Sequence, residues 1–294
     1  MNKISIIIVS YNVRTYLSNS IDSILKSSIE NFELIIVDNN SFDGTAEYIS
    51  NNHPSIKLIA NNSNVGFGKA VNQGAKIANS EHLLILNPDT IIEEDTLEKL
   101  INYIETSNKI GMVGPKILNA DGSLQLSCKR SFPTIKSAIP KILGLDKLFP
   151  NSKWFGRYNL TFLDPDKNHV VDAISGSCML IRNNVFKKIG GFDERFFMFG
   201  EDIDICFRTW QANFEVHYFP ETKIIHYKGE SVKTAPYNSR EAFYEAMDIY
   251  VDKHYSKTLG KISRALISLG IRLNKFLSMI IDKKSMILSL FLDS

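Results

Sequence analysis

The chain has 294 residues, which is enough for one large α/β domain with an appendage. Its composition, 44% hydrophobic and 22% charged, is that of a globular protein and excludes disordered, fibrous and integral-membrane classes. The formal net charge of +2 is too small to indicate a nucleic-acid-binding surface. Three widely spaced cysteines predict neither a disulfide framework nor a zinc site.

Targeting signals are not evident in the sequence. The apolar run at residues 4–9 is too short for a secretory signal, and no small-residue cleavage site follows it. No segment approaches the roughly 18 to 20 apolar residues that a membrane-spanning helix needs. We therefore expect a cytoplasmic protein.

Short β-branched runs alternate with segments of helical periodicity through the first hundred residues. The runs at 4–9, 32–37, 56–60 and 83–86 predict strands, and the segments near 13–26, 44–51 and 67–78 predict helices. This alternation is typical of a mostly parallel sheet covered on both faces. In such an α/β fold, ligands bind at the carboxyl ends of the strands.

Hydrogen-bonding side chains follow each of these predicted strands, so we expect one crevice to collect them. They are Ser10-Tyr11-Asn12, residues 38–41, residues 61–66, and Asn87-Pro88-Asp89. Periodicity weakens from 117 to 169, which predicts a long variable loop over the site. Further strands are predicted at 170–175, 178–182, 215–219 and 224–226, and helices at 202–211 and 236–255.

Two aspartates follow predicted strands directly. Asp38 could accept hydrogen bonds from a nucleobase or ribose, or it could form an Asx-turn or helix cap. Asp89 could hold Mg²⁺ or Mn²⁺ while phosphate oxygens complete the octahedron, or it could cap the next helix. There is no Walker loop, and Gly66-Phe67-Gly68 lacks the third glycine of a dinucleotide fingerprint.

Acidic residues and one histidine mark the second half. Glu201 and Asp202 could complement the dipole of a helix, or the aromatic residues before them could raise a carboxyl pKa for general-base work. His226 is interpreted as a core or turn histidine unless Asp89 binds a metal, in which case it could contact the metal or a diphosphate.

Together these motifs resemble the family 2 glycosyltransferases with the GT-A fold, over about residues 4–228. The matching motifs occur in the family's order and approximate spacing. They are Ser10-Tyr11-Asn12, Val37-Asp38-Asn39-Asn40-Ser41, Asn64-Val65-Gly66-Phe67-Gly68 with Asn72 and Gly74, Leu86-Asn87-Pro88-Asp89, Ser175-Gly176-Ser177-Cys178, Gly190-Gly191-Phe192-Asp193-Glu194 and Glu201-Asp202.

The resemblance implies a role for each matching residue. Asp202 is the catalytic base, and Asp89 with His226 forms the metal or diphosphate contact, with Mg²⁺ or Mn²⁺ as the cofactor. Donor-binding residues are Tyr11, Asp38, Asn64, Gly66, Asn72 and Asn87. Acceptor-binding residues are Gly176, Asp193 and Glu201. Asn87 stands where the commoner pattern has a first aspartate, and its amide could hydrogen-bond a ribose hydroxyl.

The resemblance also implies an activity and an organisation. We expect an inverting glycosyltransferase that moves a sugar from a nucleotide-diphosphate donor to a hydroxyl of a cell-surface polysaccharide precursor. The Asn-Pro-Asp variant resembles the rhamnosyltransferase-like branch and points to deoxythymidine-diphosphate rhamnose. Residues 1–235 form the catalytic domain, with a donor half at 1–115 and an acceptor half at 116–235.

Residues 236–294 are predicted to form a helical extension. Beyond residue 255 basic residues flank an apolar stripe at helical spacing, which favours an interfacial helix at the inner face of the cell membrane. The alternative is a helix packed on the catalytic domain or on a second subunit. Expected partners are the nucleotide sugar and a glycan or lipid-linked acceptor, and not nucleic acid.

Two other functions are compatible with parts of the pattern. A sugar nucleotidyltransferase shares this type of sheet, but a Gly-rich start with a basic residue after the first strand is typical of that class, and Ser10-Tyr11-Asn12 stands there instead. A non-catalytic, membrane-associated glycan-binding subunit would not need Asp89, Asp202 and His226 together.

Overall fold

The computed structural model describes residues 3–227, 229, 239–256, 267–268 and 270–271. The strands are β1 (Ile4–Ser10), β2 (Phe32–Asp38), β3 (Lys57–Ala60), β4 (His82–Leu86), β5 (Thr90–Ile92), β6 (Ile110–Leu118), β7 (Lys129–Arg130), β8 (His169–Val170), β9 (Ala173–Ile174), β10 (Cys178–Arg182) and β11 (Glu215–His226). The helices are α1 (Arg14–Leu25), α2 (Thr45–Asn52), α3 (Phe67–Ile77), α4 (Thr96–Glu105), α5 (Ile135–Ile142), α6 (Leu145–Leu148), α7 (Asn183–Lys188), α8 (Glu201–Gln211) and α9 (Ser239–Tyr255).

A mixed sheet forms the centre of the described part of the chain. Its strand order is β3-β2-β1-β4-β10-β6-β11-β5, and β8 also pairs with β11. The first four strands in this order are parallel to one another, whereas β10 is antiparallel to both of its neighbours. β7 and β9 form a separate two-stranded sheet. The predicted α/β fold with a mixed, mostly parallel sheet is confirmed.

The parallel block explains where the polar residues collect. Every residue of β1 is buried, as expected for a strand covered on both faces. Ser10 pairs with Asp38, and Ile8 pairs with Leu86, so the carboxyl ends of β1, β2 and β4 lie at one edge. On α3, Gly74 lets the helix approach β1 closely, because a Cβ atom there would lie 2.7 Å from the Ile7 side chain. This edge therefore carries the loops that begin at residues 11, 39 and 87.

Three predicted segments differ from the structure, at 215–226, 117–169 and 170–175, and the last holds the end of β8 and all of β9 in place of one strand. Residues 215–226 form one strand and not two, with a register irregularity between Phe219 and Lys223 around Pro220, which has no N–H to donate. The predicted loop at 117–169 contains the end of β6, β7, α5 and α6. β5 and β6 were not predicted.

The helix α9 packs against the start of α8 through a buried ionic cluster. Asp204, fully buried, accepts hydrogen bonds from His254 at 2.6 Å and Arg208 at 2.9 Å, and Lys253 lies 2.7 Å away. Burial alone would raise the pKa of Asp204, but the hydrogen bonds and charges of these three residues lower it. Lys253 also contacts Asp193 at 2.5 Å. The cluster fixes α9 directly behind the Glu201-Asp202 pair.

We expect Asp204→Ala to destabilise the fold by about 3–5 kcal/mol, because it leaves Lys253, Arg208 and His254 without their shared anion. Urea unfolding of this variant and of Asp22→Ala, which removes an exposed carboxylate from α1, gives the comparison. Equal unfolding midpoints for both variants would show that the cluster contributes little.

Most of the predicted interfacial tail lies outside the described residues. These include 257–266 and 272–294, so the membrane prediction is not tested by the structure, and the predicted boundary near residue 235 also lies outside them. Within the residues that the structure describes, no helix combines the length and the apolar character needed to cross a membrane.

Candidate active site

Asp89 and His226 lie side by side at the end of the sheet. β11 pairs with β5 so that His226 is opposite Thr90, and the backbone N–H of Tyr227 donates to the Asp89 carbonyl at 2.9 Å. This pairing places His226 Nε2 3.2 Å from Asp89 Oδ1. Both side chains are buried, at 8% and 3% exposure. The structure therefore brings together the two residues that were predicted to bind a metal.

The hydrogen bonds of His226 identify which ring nitrogen carries a lone pair. Nδ1 lies 2.9 Å from the side-chain oxygen of Gln125, which can only accept, so Nδ1 carries the hydrogen. In the neutral ring Nε2 then carries the lone pair, and the Asn87 amide nitrogen lies 3.3 Å from it. Asp89 Oδ1 is buried and has no hydrogen-bond partner among the described residues.

Two lone-pair atoms facing each other in a buried position fit a divalent cation. Mg²⁺ binds at about 2.1 Å in an octahedron, which separates adjacent ligands by about 3 Å, close to the 3.2 Å between Asp89 Oδ1 and His226 Nε2. The partner at the other ring nitrogen, Gln125, is of the kind that orients metal-ligating histidines. The residues present thus fit a cation, with Asn87 beside it.

The second half of the site is the start of α8. Gly200 adopts a left-handed conformation, φ 76°, and begins the helix at Glu201-Asp202. Asp202 Oδ1 accepts the N–H of Ile203 at 2.7 Å, and Oδ2 accepts the N–H of Gly176 at 3.2 Å. Glycine at position 176 permits this close approach. A Cβ atom there would lie only 3.2 Å from Asp202 Cβ.

One short segment joins the two halves. Gly176 donates to Asp202, and the carbonyl of the next residue, Ser177, accepts from the backbone N–H of Asn87 at 2.9 Å. The Asn87–Asp89 turn and the Asp202 carboxylate are therefore both hydrogen-bonded to residues 176–177.

Glu201 carries the perturbed carboxyl group of the pair. Burial, reinforced by the neighbouring Asp202 charge, raises the pKa of Glu201 to about 8. Its Oε2 atom is buried without a hydrogen-bond partner. The aromatic residues before α8 are predicted to raise the pKa of a carboxyl group that serves as base, and the raised pKa is that of Glu201. Asp202 is ion-paired with Arg130 at 2.5 Å. Burial therefore favours the protonated form of Glu201, which can donate a hydrogen bond.

The raised pKa of Glu201 predicts a loss of stability with rising pH. Between about pH 4.5 and about pH 8 the folded state holds a proton that the unfolded state releases, so the free energy of unfolding falls by at most about 1.4 kcal/mol per pH unit from this group. Glu201→Gln should remove this slope. Denaturation at pH 5, 6, 7 and 8 measures it, with exposed Glu94→Gln as the control. An unchanged slope in Glu201→Gln would contradict the assignment.

The residues predicted to bind the nucleoside lie on loops that are hydrogen-bonded to each other. Asp38 is buried, and burial raises its pKa while hydrogen bonds from the Ser41 hydroxyl and N–H lower it. These bonds, at 2.5 and 3.1 Å, form the Asx-type turn that was the alternative interpretation. The Ser41 hydroxyl also accepts from the N–H of Asn12, and Tyr11 packs edge-on against Phe42. Tyr11 and Asp38 therefore lie on two loops that are hydrogen-bonded to each other.

The predicted donor residues Asn64 and Asn72 stabilise loops. Asn64 caps the N–H of Gly66 at 3.0 Å, and Gly66 has φ 87° and approaches Phe197 closely. Asn72 bonds both backbone polar groups of Phe192 at 2.9 Å. Their contact with a donor stays a prediction. Asp193, predicted to bind the acceptor, is paired with Arg195 and Lys253, and these partners lower its pKa.

Sequence reasoning missed Gln125 and Arg130. Both lie in the segment interpreted as a variable loop, and each reaches its partner across a long stretch of chain, 101 residues from Gln125 to His226 and 72 residues from Arg130 to Asp202. The signal that could have indicated them is the group of polar and basic residues at 125–130 directly before Pro133.

A second group of potential metal ligands lies elsewhere. Ligand atoms of Glu81, His82 and Glu105 lie within 4.8 Å of one another. His82 begins β4, whereas Asn87 and Asp89 follow the end of the same strand. This group is thus at the opposite edge of the sheet from the crevice and is separate from the Asp89 and His226 pair.

Comparison with known families identifies the class. The family model described as "Glycosyl transferase family 2" matches residues 5–190, which is more than half of the chain. A second model, "N-terminal domain of galactosyltransferase", matches residues 158–230. The first match covers the donor-side loops, and the second covers the start of α8 and His226.

Similar curated proteins include two rhamnosyltransferases. The "N-acetylglucosaminyl-diphospho-decaprenol L-rhamnosyltransferase" of Mycobacterium tuberculosis is 27% identical over 261 residues, covering 85% of this chain and 84% of that protein. "Rhamnosyltransferase WbbL" of Escherichia coli K12 is 28% identical over 231 residues, covering 76% and 82% of the two chains.

Similar solved structures show the fold. Staphylococcus aureus TarS 1–349 in complex with UDP-GlcNAc has a TM-score of 0.57 and 20% identity, covering 94% of this chain and 73% of that one. GalNAc-T7 with UDP, GalNAc and Mn²⁺ has a TM-score of 0.59 and 16% identity, covering 93% and 55%. The fold is GT-A. The chain belongs to glycosyltransferase family 2 and is a glycosyltransferase similar to the two rhamnosyltransferases.

Proposed function

We propose that the enzyme transfers rhamnose from a deoxythymidine-diphosphate donor to a hydroxyl of a lipid-linked surface-glycan precursor, with inversion at the anomeric carbon. The names of two similar proteins support the sugar, and one of those names specifies a diphospho-decaprenol acceptor. The observation that carries the proposal is the connection of the Asp89 and His226 pair to the Asp202 carboxylate through residues 176–177.

The residues of the candidate site have separate roles in the proposed reaction. Asp202 accepts the proton of the acceptor hydroxyl as the oxygen attacks the anomeric carbon, and the bond from that carbon to the diphosphate breaks. General-base assistance of this kind contributes roughly a hundred- to ten-thousand-fold. The backbone of residues 176–177 fixes Asp202 relative to Asn87, so that acceptor and donor are held in one orientation. A single displacement inverts the configuration, and no covalent intermediate forms.

Asp89 and His226 would hold the divalent cation, for which we propose Mg²⁺ or Mn²⁺. When bound, such a cation supplies positive charge that stabilises the departing diphosphate. The contact of Nδ1 with Gln125 orients the His226 ring, and Asp89 supplies the buried carboxylate. The Asn87 amide lies beside this pair, 3.3 Å from His226 Nε2, and we assign it to a ribose hydroxyl of the donor.

A donor screen tests the proposed function. Purified enzyme with Mg²⁺ or Mn²⁺ is incubated with deoxythymidine-diphosphate rhamnose, UDP-GlcNAc or a nucleoside triphosphate plus sugar phosphate, with and without a diphospholipid GlcNAc acceptor. We expect acceptor-dependent release of deoxythymidine diphosphate. Release of pyrophosphate from the triphosphate would instead indicate a nucleotidyltransferase. The absence of product with every donor would indicate a non-catalytic glycan-binding subunit.

A lipid-linked acceptor would place the working enzyme at the inner face of the cell membrane, and we propose that the tail after Tyr255 contributes to this. Its cationic residues are Lys257, Lys261, Arg264, Arg272, Lys275, Lys283 and Lys284. Each cation near an anionic surface adds about 1 kcal/mol. Deleting all residues after Tyr255 should release the protein from anionic vesicles without affecting hydrolysis of the donor. Sedimentation with anionic and neutral vesicles measures this, and equal pelleting of both forms would contradict a membrane contact.

A further inference from the structure

The guanidinium group of Arg130 lies against the carboxylate of Asp202. Arg130 Nη2 donates to Asp202 Oδ2 at 2.5 Å and to the carbonyl of Ile174 at 3.0 Å. Both charged side chains are largely buried, with 11% and 14% exposure. Burial alone would lower the pKa of Arg130, and the Asp202 charge more than reverses this effect. The pair is thus a charge-assisted contact shielded from water.

The position of Arg130 is fixed by the small second sheet. β7 pairs with β9 in antiparallel register, with Arg130 opposite Ala173 and Lys129 opposite Ile174. β9 leads directly into residues 175–177, whose backbone contacts both Asp202 and Asn87. The guanidinium is therefore anchored on the same segment that aligns the two halves of the site.

The two carboxylate oxygens of Asp202 accept different numbers of hydrogen bonds. A carboxylate offers about two acceptor positions on each oxygen. On Oδ2 both are used, by Arg130 and by the N–H of Gly176. On Oδ1 one is used, by the N–H of Ile203. Among the residues that the structure describes, the remaining acceptor position of the carboxylate is therefore on Oδ1.

We propose that Arg130 is a positioning residue for the transfer reaction: it clamps Oδ2 of Asp202, so that Oδ1 is the oxygen that receives the proton of the acceptor hydroxyl. This inference rests on the proposed role of Asp202 as the base. The proton moves from the hydroxyl to Oδ1 while the hydroxyl oxygen forms its bond to the anomeric carbon. Arg130 keeps its hydrogen bond to Oδ2 throughout the reaction.

Other titratable groups surround the pair and contribute to any pH profile. Glu201 and Cys206 lie on the same helix as Asp202 and interact with the charges of Asp202 and Arg130, and both also interact with Asp204. Tyr158, from the segment after α6, interacts with Arg130. Because these groups are common to all variants of Arg130, a difference between variants reports on the loss of the guanidinium.

The test compares Arg130→Met, Arg130→Lys and the control Arg157→Met, which alters an exposed arginine of the same region. Turnover and KM for donor and acceptor are measured from pH 5 to 9, and donor affinity is measured by calorimetry. For Arg130→Met we expect turnover to fall by about 100-fold, the size of a geometric misplacement, with donor affinity within twofold of wild type. The acid limb of the turnover profile should move up by at least about one pH unit, because loss of the cation makes protonation of the carboxylate easier.

Arg130→Lys keeps the charge but not the planar fork. We expect its acid limb to stay near that of wild type and its turnover to exceed that of Arg130→Met by at least about tenfold while remaining below wild type. Turnover within threefold of wild type and an unshifted acid limb in Arg130→Met would overturn the inference. If Arg130→Met does not fold, wild-type turnover in Arg130→Lys would overturn it, and reduced turnover with an unshifted acid limb would support it.

The same measurements on Asp202→Asn separate this inference from the proposed function. An inactive Asp202→Asn with a fully active Arg130→Met refutes only the positioning role. An active Asp202→Asn refutes the base assignment on which the positioning role rests.

Discussion

Asp202→Asn is expected to reduce glycosyl transfer by at least about 100-fold, the lower range of general-base catalysis. The amide keeps the shape of the carboxylate and can still accept hydrogen bonds through its oxygen, but it cannot take the acceptor proton. Donor and metal affinity should be nearly unchanged, because Asp202 contacts residues 130, 176 and 203 and not the Asp89 and His226 pair. Transfer assays and calorimetry on the same preparation measure both quantities.

The control for Asp202→Asn is Asp22→Asn, which makes the same chemical change at an exposed position of α1. This control should retain wild-type transfer. Retention of more than about a tenth of wild-type turnover by Asp202→Asn would remove Asp202 from the role of base.

Asp89→Ala is expected to weaken metal-dependent binding of the nucleoside diphosphate by at least about tenfold, the lower end of what even outer-shell changes cost at metal sites. Asp89 offers a carboxylate, the type of ligand that Mg²⁺ prefers, whereas His226 offers an imidazole nitrogen. His226→Ala should therefore lower turnover with a smaller loss of affinity. Titration of deoxythymidine diphosphate with Mn²⁺ and with EDTA measures the metal-dependent part.

Exposed Asp121→Ala serves as the control for Asp89→Ala, because it removes a carboxylate from a turn outside the crevice. Nucleotide affinity that is equal in Asp89→Ala and wild type, both with and without divalent cation, would show that the metal site is assigned wrongly.

The parallel half of the fold was predictable because its strands are buried on both faces. Continuous apolar runs mark β1, β2 and β4 in the sequence, and the structure begins and ends them within about one residue of the prediction. β6 was not predicted, because Gly111 and Gly114 interrupt its pattern. These glycines are needed for close packing, since a Cβ atom would lie 2.7 Å from Phe214 at the first and 3.0 Å from Ile174 at the second.

The candidate site was predictable where its residues follow strand ends. Asp89 and His226 were assigned to one metal site from motifs alone, and the structure places them 3.2 Å apart. The alternative interpretation of Asp38 as a turn former is also present, in its bonds to Ser41. A side chain can both shape a loop and line a crevice, so local patterns could not decide between these interpretations.

Contacts between distant segments could not be predicted from local spacing. Arg130 and Gln125 act on Asp202 and His226 only because β7 pairs with β9 and because β6 leads into the turn before residue 128. Lys253 and His254 reach Asp204 from α9 in the same way. The two partners of each pair are oppositely charged or complementary in hydrogen bonding and are at least 49 residues apart in the sequence. Only the tertiary structure shows which residues are partners.

The most direct test of the account is NMR spectroscopy of the sugar during the reaction. Wild-type enzyme, Mg²⁺, deoxythymidine-diphosphate rhamnose and a diphospholipid GlcNAc acceptor should give one glycoside per nucleoside diphosphate released, with an anomeric configuration opposite to that of the donor. A glycoside with the donor's configuration would contradict the single displacement assisted by Asp202, and formation of pyrophosphate in place of a glycoside would contradict glycosyl transfer itself.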